Sequence, residues 1–277
     1  MIQDILPDIL NNHFEPLQPE SEDRVIVFTD DRLLVHYDAG NCDLVFPCWE
    51  NFSGNETVVY LFSINDTRYF LVMEAENFTG SAGFEACTLR DLRSRKLRSN
   101  TGVMIAFTAW HLYQWYRTSR FCGACGSLTE FDAIERAMAC PKCGNKIYPR
   151  INPAVIVGVC NGDRILLTRY KAGYAHNALI AGFTEIGETM EETVRREVME
   201  ESGLKVKNIR YYKSQPWGVA ADILMGFYCD VDGDDTIHLD DFELKYAAWV
   251  ERQDIELQPD SLSLTNEMME RFKLCKI

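Results

Sequence analysis

Glu197, Glu200 and Glu201 crowd the end of the stretch GFTEIGETMEETVRREVMEESGL, residues 182–204, which closes on Gly203-Leu204. Like charges three and four residues apart on a helix repel by a few tenths of a kcal/mol per pair. At about 100° per residue the three glutamates share an arc of roughly 100°. Val194 and Val198 lie beside that arc, so the stripe is expected to face inward at the edge of a core. Inward carboxylates without partners are costly to ionise. Hard divalent cations such as Mg²⁺ or Mn²⁺ take oxygen ligands and would settle them. Glu188, outside the stripe, is placed to favour the helix dipole or to pair with Arg196. An exposed, salt-bridged surface helix would have the same composition.

A second set of ligating residues precedes it. Cys122-Gly-Ala-Cys125 and Cys140-Pro-Lys-Cys143 are CxxC pairs fourteen residues apart, each followed by a glycine, Gly126 and Gly144, that permits a tight knuckle turn. Four thiolates in tetrahedral geometry suit Zn²⁺ and leave no open position for water, so this metal is expected to be structural, one ion per chain. A redox-active CxxC is the competing reading, and two such knuckles are hard to explain that way. The chain has ten cysteines; the other six are scattered (Cys42, Cys48, Cys87, Cys160, Cys229, Cys275) and read mostly as buried free thiols.

The elements that must position these groups follow from periodicity. Residues 24–36 and 57–73 read as paired strands around polar turns, the second at Asn65-Asp66. A basic run, Arg90 to Arg98, reads as a connector or solvated helix face, with a phosphate contact as the sharper alternative. Apolar residues at helical spacing predict a helix over 101–119, leading straight into the first knuckle. Strands follow at 153–160 and 164–170 around Asn161-Gly162-Asp163, then the glutamate-rich loop and helix, strands at 208–214, 223–230 and 246–251, and a closing helix over 261–274. The fold class is α+β: a mostly β domain with a connecting helix (1–117), a four-cysteine zinc ribbon (118–150), and a C-terminal α/β/α sandwich on a mixed sheet (151–277).

Bulk properties narrow the field. With 28 basic and 42 acidic residues the net charge is −14, which argues against broad contact with a phosphate backbone. Metal ions bridging protein and phosphate would still admit a phosphorylated substrate. The start, MIQDILPDILNN, has acidic residues where a secretory signal has basic ones, and no stretch approaches the roughly 18 uninterrupted apolar residues of a membrane span. The expectation is a soluble, reducing, cytoplasmic protein.

Gly182, five residues, Glu188, seven residues, then Arg196-Glu197-Val198-Met199-Glu200-Glu201-Ser202-Gly203-Leu204 matches the fixed positions of the Nudix box. The order of β domain, zinc ribbon and Nudix domain resembles the bacterial NADH pyrophosphatase family over nearly the whole chain, most weakly before residue 85. The family's second signature, Ser-Gln-Pro-Trp-Pro-Phe-Pro-x-Ser, is present here as Ser214-Gln215-Pro216-Trp217 and then departs as Gly218-Val219-Ala220-Ala221-Asp222. The N-terminal domain is expected to be Nudix-like by the same resemblance.

The resemblance implies hydrolysis of the pyrophosphate in NADH or NAD⁺ to nicotinamide mononucleotide and AMP, removal of NAD caps from RNA 5′ ends, and a homodimer. It makes Glu197 and Glu201 ligands of two or three Mg²⁺ or Mn²⁺ ions, Glu200 a further ligand or the base, and Glu188 the group that orients Arg196. The main-chain carbonyl of Ala181 and the carboxylate of Glu243 join the metal site. Phe183 becomes a base-stacking aromatic, and Glu135, Tyr148, Gln215, Pro216, Trp217, Asp222 and Thr265 fall at substrate-contacting positions, with Arg90 near a basic contact. Core packing alone would also explain Trp217, and a surface glutamate would explain Glu243. The altered stretch 218–222 keeps ADP-ribose, dinucleoside polyphosphates and other nucleotide sugars open as substrates. A zinc-ribbon nucleic-acid-binding regulator with an inactive Nudix domain is a different class, and the complete set of acidic ligands argues against it.

Overall fold

The computed structural model describes residues 1–73, 83–171, 176–239 and 244–277. Glu243 lies outside the described residues. The chain divides into two compact units, one of residues 2–150 with the turn 218–221, the other of Met1, 151–217 and 222–277.

In the first unit the strands are β1 (Leu10–Asn11), β2 (Arg24–Thr29), β3 (Arg32–Asp38), β4 (Asp43–Val45), β5 (Val58–Ile64), β6 (Thr67–Val72) and β7 (Glu85–Thr88), in one sheet of order β1-β5-β6-β2-β3-β4 with β7 on β3. The hairpin β2–β3 turns at Asp30, and β5–β6 turns at Asn65, both at positive φ where Asp and Asn are tolerated better than most residues. The pairing of β2 with β6 is parallel, which alternation within each strand does not reveal. The basic run begins on a short helix, α1 (Leu89–Arg93), capped by Thr88. Helix α2 (Thr101–Thr118) is buried on most of its circumference, with Val103, Met104, Phe107, Leu112 and Tyr116 among its buried residues.

The ribbon belongs to this same unit, as β8 (Glu130–Phe131), β9 (Met138–Ala139) and β10 (Lys146–Ile147) in order β10-β9-β8. Arg136, on the β8–β9 hairpin, donates to the carbonyls of Asn12 and Leu61. Leu61 sits at a bulge, the register passing from Tyr60↔Phe70 to Phe62↔Tyr69. A bulge leaves its extra residue out of the ladder, so that carbonyl is available to the arginine.

The second unit has β11 (Asn152–Asn161), β12 (Arg164–Tyr170), β13 (Ile180–Phe183), β14 (Val206–Trp217), β15 (Asp222–Val231) and β16 (Leu244–Glu251) in order β14-β15-β11-β12-β16, with β13 on β11. The β11–β15 pair is parallel and the others antiparallel, giving the expected mixed sheet. Alternate residues of β11 serve two cores. Val155, Val157 and Val159 pack with Val194 and Val198 of helix α3 (Met190–Ser202), while Ile156 and Cys160 pack with Leu264, Met268 and Phe272 of helix α4 (Leu264–Lys273). A sheet buried on both faces is why this strand reads as a nearly continuous apolar run.

Of the scattered cysteines, Cys87, Cys160 and Cys229 are buried, and burial pushes their thiols up, Cys87 to about 11. Cys42 and Cys48 are half-buried and Cys275 is exposed, so half of the six scattered cysteines are buried where most were expected to be. Among the described residues no helix is long and apolar enough to cross a membrane.

Candidate functional site

Helix α3 is set by its ends. Thr189 accepts from the Glu192 N–H while Glu192 reaches back to the Thr189 N–H, a reciprocal capping box, and Gly203 ends the helix at φ 71°. Val194 and Val198 are fully buried and fix the rotation of the helix against the sheet. That rotation grades the three carboxylates: Glu201 is 2% exposed, the Glu197 side chain 12%, and the Glu200 side chain 58%. The inward stripe of three is therefore corrected to two, because Glu200 lies a further 100° round from Glu201 and past the edge of the core.

Gly182 explains its own place in the pattern. It pairs with Val155 in the β11–β13 ladder, and a Cβ there would lie 2.0–2.3 Å from the carboxyl of Glu197. Only hydrogen fits beneath that carboxylate, so the strand can approach the helix and cradle an acidic group.

Arg196 gathers the remaining charge. Its Nε and Nη2 donate to the two oxygens of Glu188 at 2.6 and 2.9 Å, its Nη1 to Glu197 at 2.7 Å and Glu200 at 2.9 Å, and its Nη2 to the Phe183 carbonyl at 2.8 Å. One guanidinium thus ties the loop, the strand end and the helix together, using the fork that lysine lacks. Glu188 also accepts from the Glu185 N–H and the Thr193 hydroxyl. Arg196, and then the Glu185 N–H, hold its carboxyl down at about 2. Glu188 first, and then Glu197 and Glu200, raise Arg196 above its already high ordinary value. Thr193, as a second holder of Glu188, was not foreseen; its signal is a threonine one turn after Thr189, on the same helix face.

The side-chain donors here are carboxylate oxygens, which suit a hard divalent cation, although among the described residues only the four cysteines converge within 4.8 Å of one another. The carbonyl of Ala181 belongs to β13, beside Gly182. Phe183 ends that strand, 53% exposed. The Ser-Gln-Pro-Trp segment occupies the end of β14. Gln215 is fully buried; its amide donates to the Leu262 carbonyl and its carbonyl accepts from the Leu264 N–H, so it clamps the start of α4, where Thr265 is the second residue. Pro216 is exposed, Trp217 half-buried. Trp217 lies opposite Asp222, and Asn152 is Asp222's neighbour on the other side. Asp222 is 6% exposed, its Oδ1 has no hydrogen-bond partner, and burial raises its carboxyl to about 6.

Within the first unit, the sulfurs of Cys122, Cys125, Cys140 and Cys143 all lie within 4.8 Å of one another, with Cys122–Cys143 at 3.6 Å and Cys125–Cys140 at 3.5 Å. Zinc at ~2.3 Å from each sulfur requires sulfurs about 3.8 Å apart, so the set fits that ion. The knuckles repeat one geometry: Gly126 N–H donates to the Cys122 carbonyl, Gly144 N–H to that of Cys140, and both glycines have φ near +74°. Glu135 accepts from Tyr148 at 2.8 Å and from Lys146 at 2.7 Å, so these two candidate substrate contacts touch each other.

Residues 150–272, a sheet between two helices with an arginine-bound carboxylate helix on one face, match the NUDIX domain. Residues 117–148 match the NADH pyrophosphatase zinc ribbon domain. The ribbon match precedes the NUDIX match along the chain. It is 40% identical over 162 residues to the NAD-capped RNA hydrolase NudC of Enterobacter sp. (strain 638) and to that of Yersinia pestis (strain Pestoides F). Those matches cover 57% of this chain and 62% and 61% of the two relatives. A crystal structure of a NUDIX hydrolase from Nitrosomonas europaea superposes with a TM-score of 0.50 at 21% identity, covering 56% of this chain and 90% of that one, and shows the shared fold.

Proposed function

We propose that the protein hydrolyses the pyrophosphate bond of NADH and NAD⁺, yielding nicotinamide mononucleotide and AMP, and acts likewise on RNA with an NAD 5′ cap. The observation that carries this is the Arg196-centred carboxylate helix over Gly182, in one chain with an NADH pyrophosphatase zinc ribbon. Glu197 and Glu201 would hold Mg²⁺ or Mn²⁺, two or three ions, with the Ala181 carbonyl and Glu243. Bound there, such ions would supply Lewis acidity and lower the pKa of an attacking water. Glu200, the exposed member, would be a further ligand or the base that takes the proton as water oxygen bonds to phosphorus and the P–O–P bridge breaks. Arg196 holds Glu197 and Glu200 in register, and Glu188 fixes Arg196.

Phe183 would stack on a base, with Pro216, Trp217, Asp222 and Thr265 as further contacts and Gln215 supporting Thr265 from beneath. Glu135 and Tyr148 are proposed contacts from the ribbon side, in a cytoplasmic homodimer with one structural zinc per chain.

The turn Gly218–Ala221 favours a second reading, in which ADP-ribose, diadenosine polyphosphates or other nucleotide sugars are also cleaved. It lacks the aromatic and the two prolines of the family signature. Product analysis with NADH, NAD⁺, ADP-ribose, diadenosine polyphosphates and NAD-capped RNA tests both; no release of nicotinamide mononucleotide from any of them would end the first.

A further inference from the structure

The three strands of the ribbon have two residues each, too few to hold a sheet by themselves. Their order comes from the flanking knuckles, and a four-sulfur zinc contributes folding energy to such a unit directly. Cys140 follows β9 without a break, and Ala139 of β9 pairs with Lys146 of β10, just past the second knuckle. Lys146 Nζ lies 2.8 Å from one oxygen of Asp132, whose other oxygen accepts from the Ile134 and Glu135 N–H groups. The hairpin that carries Arg136 is thus built on the second knuckle.

Arg136 leaves that hairpin and ends on the edge of the N-terminal sheet. Its Nη2 donates to the carbonyl of Asn12, at 3.3 Å, and to that of Leu61, and its guanidinium lies 5.5 Å from the centroid of the Phe14 ring. Asn12 directly follows β1, and Leu61 belongs to β5, on which β1 pairs. One nitrogen therefore staples the edge strand to its neighbour. Strand β1 has little else to hold it, since its ladder is only Leu10↔Ile64 and Asn11↔Ser63. Among the described residues Arg136 has no carboxylate partner, its Nη1 is buried without a hydrogen bond, and burial lowers its guanidinium from the usual value. A cation taken out of water without a counter-charge is costly to keep there. It returns to water once its hairpin loosens, so the staple lasts only while the ribbon is closed.

We propose that Arg136 couples the metal of the ribbon to the N-terminal sheet: zinc binding closes the hairpin, and the closed hairpin holds β1 on β5. Loss of zinc then frays the far edge of the β domain as well as the knuckles. The proposal does not depend on the hydrolytic reading.

Hydrogen–deuterium exchange of the reduced full chain tests it, read at residues 9–14 and, as a control in the other unit, at 224–231. Removing zinc from the wild type with a chelator should speed exchange at 9–14 about tenfold or more, the scale of one hydrogen bond from a charged group. Arg136→Met keeps an apolar stem and removes the donors. With one zinc per chain by elemental analysis, it should show the same acceleration at 9–14, none at 224–231, and little further response to the chelator. Arg136→Lys keeps the charge and a donor, should fall between the two, and decides the matter if Arg136→Met does not fold. A zinc-bound variant as protected at 9–14 as the wild type would overturn the staple. Wild-type protein that stays protected at 9–14 without zinc, or a variant that responds to chelation as strongly as the wild type, would overturn the coupling. Equal acceleration at 224–231 on chelation would do the same, because the whole chain would then be responding to zinc rather than one sheet edge.

Discussion

The ribbon and the carboxylate helix both concentrate ligating groups of like charge, and they manage that charge in opposite ways. In the ribbon four sulfurs converge within 4.8 Å of one another, held by two matching knuckles. Such a set closes around one ion and admits nothing else. On α3 the carboxylates are spread from 2% to 58% exposure, and Arg196 spans two of them. That set is pre-oriented by a protein cation yet keeps oxygens within reach of a substrate. Symmetry of ligands marks the site proposed as structural, and a gradient of burial marks the one proposed to react.

The comparison breaks hardest at Glu197. Glu197→Gln keeps the shape above Gly182 and deletes the charge, so turnover of NADH should fall by a factor on the order of 10²–10⁴ with folding unchanged. Steady-state rates at saturating Mg²⁺ measure this, and wild-type activity would remove Glu197 from the chemistry. Cys140→Ser should show the reverse pattern, losing bound metal and lowering the melting temperature, because a structural zinc contributes to folding itself. Elemental analysis should give about one zinc per wild-type chain. Iron, or reduced protein without metal, would defeat the four-sulfur reading.

Both regions were legible in the sequence because their constraints are local. The CxxC spacing and the following glycines dictate knuckles, and the structure has both glycines at positive φ. The box spacing dictates a helix with Glu188 opposite Arg196, and their contact at 2.6 Å follows. What stayed hidden was long-range. Gly182 lies beneath Glu197 only because β13 pairs with β11, a partnership that four residues of strand cannot announce. Gln215 belongs to a motif read as substrate contact, yet its amide is consumed by the backbone of 262–264, some fifty residues away. The parallel pairing of β2 with β6 likewise depends on a crossover, which alternation does not encode.

A middle-sized effect concerns the turn 218–221. Without proline the free loop samples more conformations, so ordering it on a substrate costs more. Loss of one stacking face removes about 0.5–1.5 kcal/mol beyond area burial. Phe183 is exposed at the end of β13, and in the proposed function it would still anchor a base. NADH should therefore be cleaved with ADP-ribose or diadenosine compounds within about tenfold in kcat/KM, equivalent to about 1.4 kcal/mol. A thousandfold preference for NADH would show that another segment supplies the missing wall.

The smallest effect probes how the reactive region holds its charge. Arg196 depresses the Glu188 carboxyl from 4.5 to about 2, with help from the Glu185 N–H and Thr193. A carboxyl lowered on folding stabilises the native state at pH above its unfolded value and ceases to do so as pH falls through the folded value. The contribution of Glu188 should thus be complete above about pH 5 and disappear between about pH 4.5 and 2. Glu188→Gln retains an acceptor for Arg196 but has no charge to titrate. Melting curves of wild type and variant should differ most near pH 6 and draw together as the solution is acidified toward pH 2–3. Zinc loss at low pH affects both proteins alike, so the difference between them isolates the carboxylate. A gap that stays constant over this range would mean that Glu188 acts by shape and hydrogen bonding, and that the arginine-held charge distinguishing α3 from the ribbon adds nothing to folding.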